Sequence, residues 1–185
     1  MLAISFIHCD ISNGTYRPMK HFISVVLLFA CTALFFNTCF SQDNSTYFTV
    51  GGEVLKPLKL SIKELAALKI SEVKAKDRDG KEHSFKGVML WTILDSAGVT
   101  LGKDLRGENL GKYVLVKASD GYEVVFSLPE IDPDFSEKII LLANEVDGKP
   151  LSASEGPFRL VVPQDKKHAR WIRQLNSIQI LFSKD

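Results

Sequence analysis

The stretch Gly156-Pro157-Phe158-Arg159-Leu160-Val161-Val162-Pro163 decides the fold. A Gly-Pro step begins it and a second proline ends it, so Phe158 to Val162 is predicted to be a short buried strand. An Asp147-Gly148 turn lies just upstream. Arg159 falls near the start of the strand, where a long cationic side chain must meet an anion or reach water.

A basic segment follows this strand. It contains Lys166, Lys167, Arg170 and Arg173, and locally only Asp165 opposes them. Two proline-bounded loops could therefore direct several positive donors at one small region, which would suit a phosphate-bearing ligand. The alternative is a solvated basic face, which is the commoner role of a charge run.

Composition fits one ordinary globular domain. The chain has 185 residues, of which 45% are hydrophobic and 24% charged. The formal net charge is +1, so no global field favours nucleic acid or an anionic membrane. Nucleic acid is therefore not an expected partner, and any anion site must be local.

Residues 1–41 are predicted to be a signal peptide. The apolar run from Phe22 to Phe36 follows Arg17 and Lys20. The run is short for a bilayer span, which needs about 20 residues. Because Met19 directly precedes Lys20, residues 1–18 could be an upstream extension from a misassigned start.

Export, to the periplasm or as a secreted protein, is the expected localisation, with no stable membrane span once the signal is removed. A retained signal anchor is the main alternative. Lipoprotein cleavage at Cys39 is less favoured, because Phe36-Asn37-Thr38 is a poor approach to a lipidated cysteine. The predicted mature domain is residues 42–185.

Removal of the signal would also remove every cysteine. Cys9, Cys31 and Cys39 all precede Ser41. A thiolate nucleophile, a cysteine zinc site, an iron–sulfur cluster and a disulfide are then excluded from the mature domain. The remaining residues, about 144, carry 21 basic and 21 acidic side chains, and a chain of that length can bury one independent core.

Local signals predict more strands than helices. Ser61 and Glu64 form a capping-box pattern before a short helix, and Leu90, Ile93, Leu94 and Ala97 give a helical stripe ended by Gly98. Asp79-Gly80 and Ser119-Asp120-Gly121 predict hairpin turns, and Leu101 to Gly111 is predicted to be a loop. Strands are predicted at 47–50, 53–55, 113–118, 123–126, 139–143 and 177–182. Taken together, the predicted strands and helices indicate an α+β domain rather than a βα repeat.

These pieces carry a family resemblance in their order and spacing. They are Gly52-Glu53-Val54, Phe85-Lys86-Gly87-Val88, Asp120-Gly121-Tyr122, Asp147-Gly148-Lys149-Pro150-Leu151, the 156–163 stretch and Arg170-Trp171-Ile172. The set resembles the molybdopterin-binding domain of sulfite oxidase-type oxidoreductases, in particular the small exported stand-alone members. The resemblance covers nearly the whole predicted mature chain, and its final third is the most specific part.

The resemblance implies an α+β fold of mixed β-sheets with a few short helices and a cleft for a pyranopterin that ends in a phosphate. Molybdopterin is therefore the expected cofactor and a pterin-type small molecule the expected partner. Candidate phosphate or pterin contacts are Arg159, Lys166, Lys167 and Arg170, with backbone donors at Glu155 and Gly156 and a pterin-edge contact from His168. Ser119, Asp120 and Tyr122 are expected to border the same cleft. An ordinary surface histidine and a plain hairpin turn are the competing interpretations.

One departure from the family limits the expected chemistry. Its catalytic members hold the metal with a cysteine thiolate shortly before the Gly-Val piece, where this chain reads Ile70 to Arg78 without sulfur. Asp77 or Glu72 could substitute as oxygen ligands, but no protein metal ligand is expected.

The preferred hypothesis is an exported pterin- or molybdopterin-binding domain that is not catalytic alone. One alternative is a molybdopterin-dependent oxidoreductase whose metal is held by the cofactor's own sulfurs, with a redox partner protein. The other is a ligand-free structural or partner domain. Enzyme activity stays open.

Overall fold

Two β-sheets with three short α-helices make up residues 46–183, the part of the chain that the computed structural model describes. The strands in chain order are β1 (Tyr47–Gly52), β2 (Leu58–Ser61), β3 (Ile70–Lys76), β4 (Glu82–Met89), β5 (Lys112–Ala118), β6 (Glu123–Ser127), β7 (Leu141–Val146), β8 (Lys149–Pro150), β9 (Arg159–Val161) and β10 (Leu175–Phe182). The helices are α1 (Ile62–Ala66), α2 (Leu90–Ser96) and α3 (Leu128–Ile131). The predicted signal peptide, residues 1–41, lies outside the described residues.

The first sheet has the order β2-β1-β10-β5-β6, and only its β1–β10 pair is parallel. The second sheet is antiparallel, with the order β3-β4-β7-β8, and β9 pairs with β7. One sheet is thus mixed, and helices are few and short. The predicted α+β class is confirmed.

Apolar side chains that alternate along the strands of both sheets pack together in one hydrophobic core. Phe48 in β1, Val116 in β5 and Ile180 in β10 are buried from the first sheet, and Phe85 in β4 is buried from the second. The rings of Phe48 and Phe158 meet edge to face with centroids 4.8 Å apart. The strand predicted at 158–162 is observed as the shorter β9, with all three residues buried.

Local helix signals also hold. The Ser61 and Glu64 side chains cap α1 reciprocally, and Gly98 follows α2 with a φ of +71°, where glycine has no Cβ penalty. The prediction of a loop at 101–111 is corrected by the structure, because this segment contains two 3₁₀ turns, Gly102–Asp104 and Gly107–Gly111. Buried Asp132 fixes the first, since its Oδ2 accepts the Gly102 amide hydrogen at 2.5 Å.

Within residues 46–183, no helix combines the length and the apolar character that crossing a membrane requires.

Candidate cofactor-binding site

Arg159, the first residue of β9, is buried in the protein. Its side chain is 1% exposed, and both terminal nitrogens reach Asp77 at 2.7 and 2.8 Å. Nη1 also donates to Glu155 at 3.0 Å. The guanidinium lies 5.4 Å from the Phe85 ring centroid and 5.3 Å from that of Trp171. Arg159 therefore meets its anion inside the protein, in a bidentate ion pair flanked by two aromatic rings.

This ion pair fixes the β3–β4 turn. Burial alone would raise the pKa of Asp77, but hydrogen bonds from Arg159 and from the Arg78 amide outweigh it, so the pKa lies below its usual value. Both carboxylate oxygens of Asp77 are engaged. The other proposed oxygen ligand, Glu72, accepts a hydrogen bond from the Ser84 hydroxyl.

Arg170 is engaged in a second ion-pair cluster. Its guanidinium donates to Asp165 at 2.6 and 2.8 Å and to Glu130 at 3.1 Å, and it lies 4.6 Å from the Phe126 ring centroid. Lys138 joins the same carboxylates. The hydrogen bond from Arg170 is the main cause of the lowered pKa of Asp165. This cluster ties α3 to the segment after β9.

The β5–β6 turn is tied to the chain that leads into β10. The Ser119 amide and hydroxyl donate to Gln174 at 3.0 and 3.1 Å, and the Tyr122 hydroxyl donates to the Ala169 carbonyl at 3.0 Å. Gln174 in turn donates to the Ala153 carbonyl at 2.9 Å. Gln174 has a φ of +49°. This one residue therefore connects three loops around a shared surface.

Two neighbouring cavities open at that surface. The first, about 460 Å³, is lined by Asp120 and Tyr122 among others, and the second, about 440 Å³, by His83 and the acidic residues around it. Arg78 and Arg173 line both cavities and are exposed. Among residues 46–183, neither guanidinium has a hydrogen-bond or ion-pair partner. We call these two cavities, with Arg78 and Arg173 between them, the two-arginine groove.

His83 is held between two carboxylates on the wall of the second cavity. Its Nδ1 lies 2.6 Å from Asp147 Oδ2 and its Nε2 lies 3.1 Å from Asp79 Oδ2. The hydrogen bond with Asp147, followed by that with Asp79, raises the pKa of His83. Asp147 also accepts the Ser84 amide hydrogen at 2.9 Å. The histidine thus connects the β3–β4 turn with the β7–β8 turn.

The structure divides the predicted contact residues into groups. Asp120 and Tyr122 line the first cavity, and Ser119 supports it through Gln174. Arg159, Lys166, Lys167, His168, Arg170 and Gly156 line neither cavity.

The sequence assigned Arg159 and Arg170 to phosphate, whereas their guanidiniums are bound by carboxylates of the protein itself. His168 Nε2 donates to the Lys76 carbonyl at 2.9 Å. The Glu155 and Gly156 amides, predicted as ligand donors, donate instead to the Ser152 carbonyl. Lys166 and Lys167 are exposed. Whether any of these residues contacts a cofactor stays a prediction.

Comparison with known proteins identifies the domain. The family model described as "oxidoreductase molybdopterin binding domain" matches residues 38–184. The chain belongs to this family. The fold of this molybdopterin-binding domain is similar to the crystal structure of the sulfane dehydrogenase SoxCD from Paracoccus pantotrophus, with a TM-score of 0.57 and 19% sequence identity. The match covers 72% of this chain but only 37% of that chain, and at 19% identity it establishes the fold alone. Among curated proteins, none matches the chain significantly.

The two-arginine groove has features that fit the organic part of molybdopterin. Each cavity has a volume in the range of small-molecule pockets, about 300–1,000 Å³. Two unpaired guanidiniums match the charge and planar donor geometry of a phosphate. Asp120 uses Oδ1 for the Tyr122 amide, and its Oδ2 has no partner among the described residues. That oxygen can accept from ring N–H donors such as those of a pterin.

The described residues fit the metal less well. Residues 46–183 contain no cysteine, and among them no cluster of three or more His, Asp or Glu side chains could hold an ion. A protein thiolate for molybdenum is therefore absent from this part of the chain.

Sequence reasoning missed Arg78, Arg173 and Gln174 as site residues. In the sequence Arg173 stands out only as part of the basic segment, and Arg78 only as the end of a stretch without sulfur. Arg78 follows Asp77, whose carboxylate is fixed by Arg159, and Arg173 follows the buried Ile172, but no local pattern shows that the two arginines line one groove.

Proposed function

We propose that this chain is an exported molybdopterin-binding domain that holds the pterin by charge and shape in the two-arginine groove. In this proposal Arg78 and Arg173 bind the phosphate. The free Asp120 oxygen accepts from the pyrimidine edge of the pterin. The single observation that carries the proposal is that two exposed guanidiniums, both without a partner among residues 46–183, line both cavities. Export rests on the predicted signal peptide at 1–41.

Tyr122 gives the proposed site an aromatic wall. Its ring is 50% exposed, and its hydroxyl is fixed by the hydrogen bond to the Ala169 carbonyl. A tyrosine that is held in place and half exposed offers a stacking surface at low entropic cost. Trp171, which also lines the first cavity, is only 2% exposed and donates from Nε1 to the Val162 carbonyl at 2.9 Å. It forms a rigid floor of the cavity rather than a mobile contact.

Arg159 has a positioning role in this proposal. It anchors Asp77, the residue before Arg78, and Glu155, which lines the second cavity. A buried bidentate pair is a rigid support for a neighbouring side chain. The phosphate contact that the sequence suggested for Arg159 is thus transferred to Arg78.

A bound molybdenum cofactor would supply two-electron oxygen-atom chemistry, and the family description supports this second candidate function. Without a thiolate in residues 46–183, the metal would be held by the cofactor's own sulfurs. Electrons would then pass to a redox partner protein. In the preferred proposal the domain binds the pterin and does not catalyse a reaction alone.

Cofactor content of the protein purified from its native host separates these functions. A fluorescent pterin oxidation product without molybdenum supports the binding domain, and molybdenum with pterin supports the oxidoreductase. Neither component, together with no binding of added ligand, indicates a structural or partner domain.

A second experiment measures ligand binding directly, so its result does not depend on whether the purified protein carries a cofactor. Binding of a pterin phosphate to the ligand-free protein is measured by fluorescence for wild type, for Arg78→Ala with Arg173→Ala, and for a matched control, Lys166→Ala with Lys167→Ala. Loss of a charged hydrogen bond costs about 1.5–3 kcal/mol, so we expect each groove arginine to contribute at least a tenfold change. The lysine control should change affinity little. Equal affinities for wild type and the arginine variant would refute the proposed site.

A further inference from the structure

We infer that a proton on His83 acts as a latch on the β3–β4 turn and so sets how strongly the two-arginine groove binds an anion. This inference rests on the proposed function and adds its regulation. It begins from the donor count of an imidazole: a neutral ring has one N–H, and an imidazolium has two.

Both ring nitrogens of His83 face carboxylate oxygens. The distances are 2.6 Å to Asp147 and 3.1 Å to Asp79. A carboxylate accepts and does not donate, so only the doubly protonated ring satisfies both contacts. A neutral ring would keep one hydrogen bond and set a nitrogen lone pair against the other carboxylate. The two distances therefore fit the charged histidine and not the neutral ring.

The contact with Asp79 is the one that deprotonation would release. It is the longer of the two. Asp147 is also fixed to β4 from both sides, because its carboxylate accepts the Ser84 amide and its own amide donates to the Ser84 carbonyl at 2.8 Å. Asp79 lies on a turn and is otherwise held by the Lys81 amide at 2.9 Å. Loss of the proton therefore releases the Asp79 side chain from β4 and leaves the β7–β8 side in place. The backbone of the β3–β4 turn stays closed, because the Gly80 amide donates to the Asp77 carbonyl and the Asp77 amide to the Lys81 carbonyl, both at 2.9 Å.

Arg78 lies between two anchors of different kinds. On one side Asp77 is bound by Arg159, which stays protonated throughout the physiological range. On the other side Asp79 is bound by His83. One side-chain anchor is permanent and the other depends on a proton. Protonation of His83 therefore adds a side-chain contact to the backbone hydrogen bonds that hold the turn, and with it the Arg78 guanidinium, at the groove.

The positive charge of protonated His83 favours anion binding, as does its hydrogen bond to Asp79. The groups that face His83 across the second cavity are Asp77, Asp79, Asp147, Glu155, Arg78 and Arg173. Arg159 compensates Asp77 and Glu155. His83 is the cation that hydrogen-bonds both Asp79 and Asp147, and the charges of Lys81 and Lys149 add to it at Asp79 and Asp147 respectively. When it is neutral, two carboxylates oppose an entering anion, and binding weakens.

The sign and the pH window follow from the same contacts. Hydrogen bonds to Asp147 and Asp79 raise the pKa of His83 from 6.5. The latch is thus fully closed below pH 6.5 and opens as the pH rises through the higher pKa of the folded protein. An anion that keeps its charge should bind more weakly above that pKa than below it.

The first arm of the test needs no ligand. The His83 ring is titrated by NMR in wild type, Asp147→Asn, Asp79→Asn and a matched control, Asp95→Asn on the exposed face of α2. We expect each cavity-wall substitution to lower the His83 midpoint and the control to leave it unchanged. The Arg78 and Asp79 amide signals should titrate with the wild-type midpoint and stop doing so in His83→Gln. Unresponsive amides, or a midpoint unaffected by either substitution, would overturn the latch.

The second arm uses inorganic sulfate, because its charge is constant from about pH 5.5 to pH 8.5. We expect its affinity to fall about three- to fivefold across that range in wild type, the size of an exposed ion-pair effect, and to stay flat in His83→Gln. By reciprocity sulfate should raise the His83 midpoint by about half a pH unit. Equal pH profiles in the two proteins overturn the latch while keeping the anion site. If the sulfate affinity is instead unchanged by Arg78→Ala and Arg173→Ala at every pH, the proposed groove is rejected.

Discussion

Replacing Arg159 with methionine gives the sharpest test of the packing beneath the groove. The substitution removes the cation from between the Phe85 and Trp171 rings and leaves Asp77 and Glu155 without their partner. Breaking a buried pair from one side costs about 3–5 kcal/mol. The two carboxylates keep 16% and 27% exposure and can be partly rehydrated. We therefore expect the low end, a loss of about 3 kcal/mol in the free energy of unfolding at pH 7.

Urea denaturation measures this loss. With an m-value of about 1–3 kcal/mol/M, the midpoint should fall by about 1–3 M while m stays unchanged. The exposed Lys166→Ala variant is the control and should move the free energy of unfolding by less than about 0.5 kcal/mol. A loss below about 1 kcal/mol for Arg159→Met would show that methionine packs between the rings as well as the ion pair does, which is a known outcome for buried pairs. The positioning role of Arg159 would then fail.

The pH dependence of the same variant adds an independent check. In wild type the lowered pKa of Asp77 stabilises the protein above pH 3.8, and this contribution is lost as the pH falls through the pKa of the folded state. Without Arg159, burial is opposed mainly by the hydrogen bond from the Arg78 amide, so the pKa of Asp77 should rise above its wild-type value. The difference in unfolding free energy between the two proteins should therefore shrink from pH 7 to about pH 4. A difference that is constant with pH would mean that lost packing, not an uncompensated carboxylate, explains the result.

Two further substitutions test the packing of the second sheet and of the cavity floor. Gly87→Ala in β4 would place a Cβ 2.0 Å from the Leu142 carbonyl oxygen, so β4 and β7 must separate. We expect the free energy of unfolding, measured by urea denaturation, to fall by at least about 1–3 kcal/mol. An unchanged midpoint would contradict the close approach of β4 and β7. Trp171→Phe removes one of two donors to the buried Val162 carbonyl, which keeps the Asp165 amide at 3.0 Å. The lost hydrogen bond should cost about 0.5–1.5 kcal/mol, and a larger loss would mean that the indole contributes chiefly by packing.

Short-range signals were enough to predict most of the fold. The capping box at Ser61 and the turn at Asp79-Gly80 both depend on residues within four positions of each other, and both are observed. The 3₁₀ structure of the 101–111 segment was missed because its first turn is fixed from outside. Asp132, 30 residues downstream of Gly102, accepts the Gly102 amide hydrogen. The local sequence of this segment is rich in glycine and charged residues, a composition that predicts only a loop.

The candidate site was harder to predict because ion pairing is a long-range property. Arg159 is bound by Asp77, 82 residues earlier, and Arg170 by Glu130, 40 residues earlier. The sequence correctly placed several cations in one region, but it could not show which of them the fold neutralises. The free guanidiniums are those that no distant carboxylate reaches, and that condition is visible only once the turns are assembled.

The contrast between paired and unpaired arginines also determines how a ligand would be retained. Arg78 and Arg173 are exposed, and at physiological ionic strength charges are screened over about 8 Å. A bond from a protein thiolate to a metal is not weakened in this way, but residues 46–183 contain no cysteine. The Arg159 pair, being buried, keeps its geometry when salt rises. A cofactor held by this domain should therefore become easier to remove as ionic strength increases, while the groove that held it stays folded.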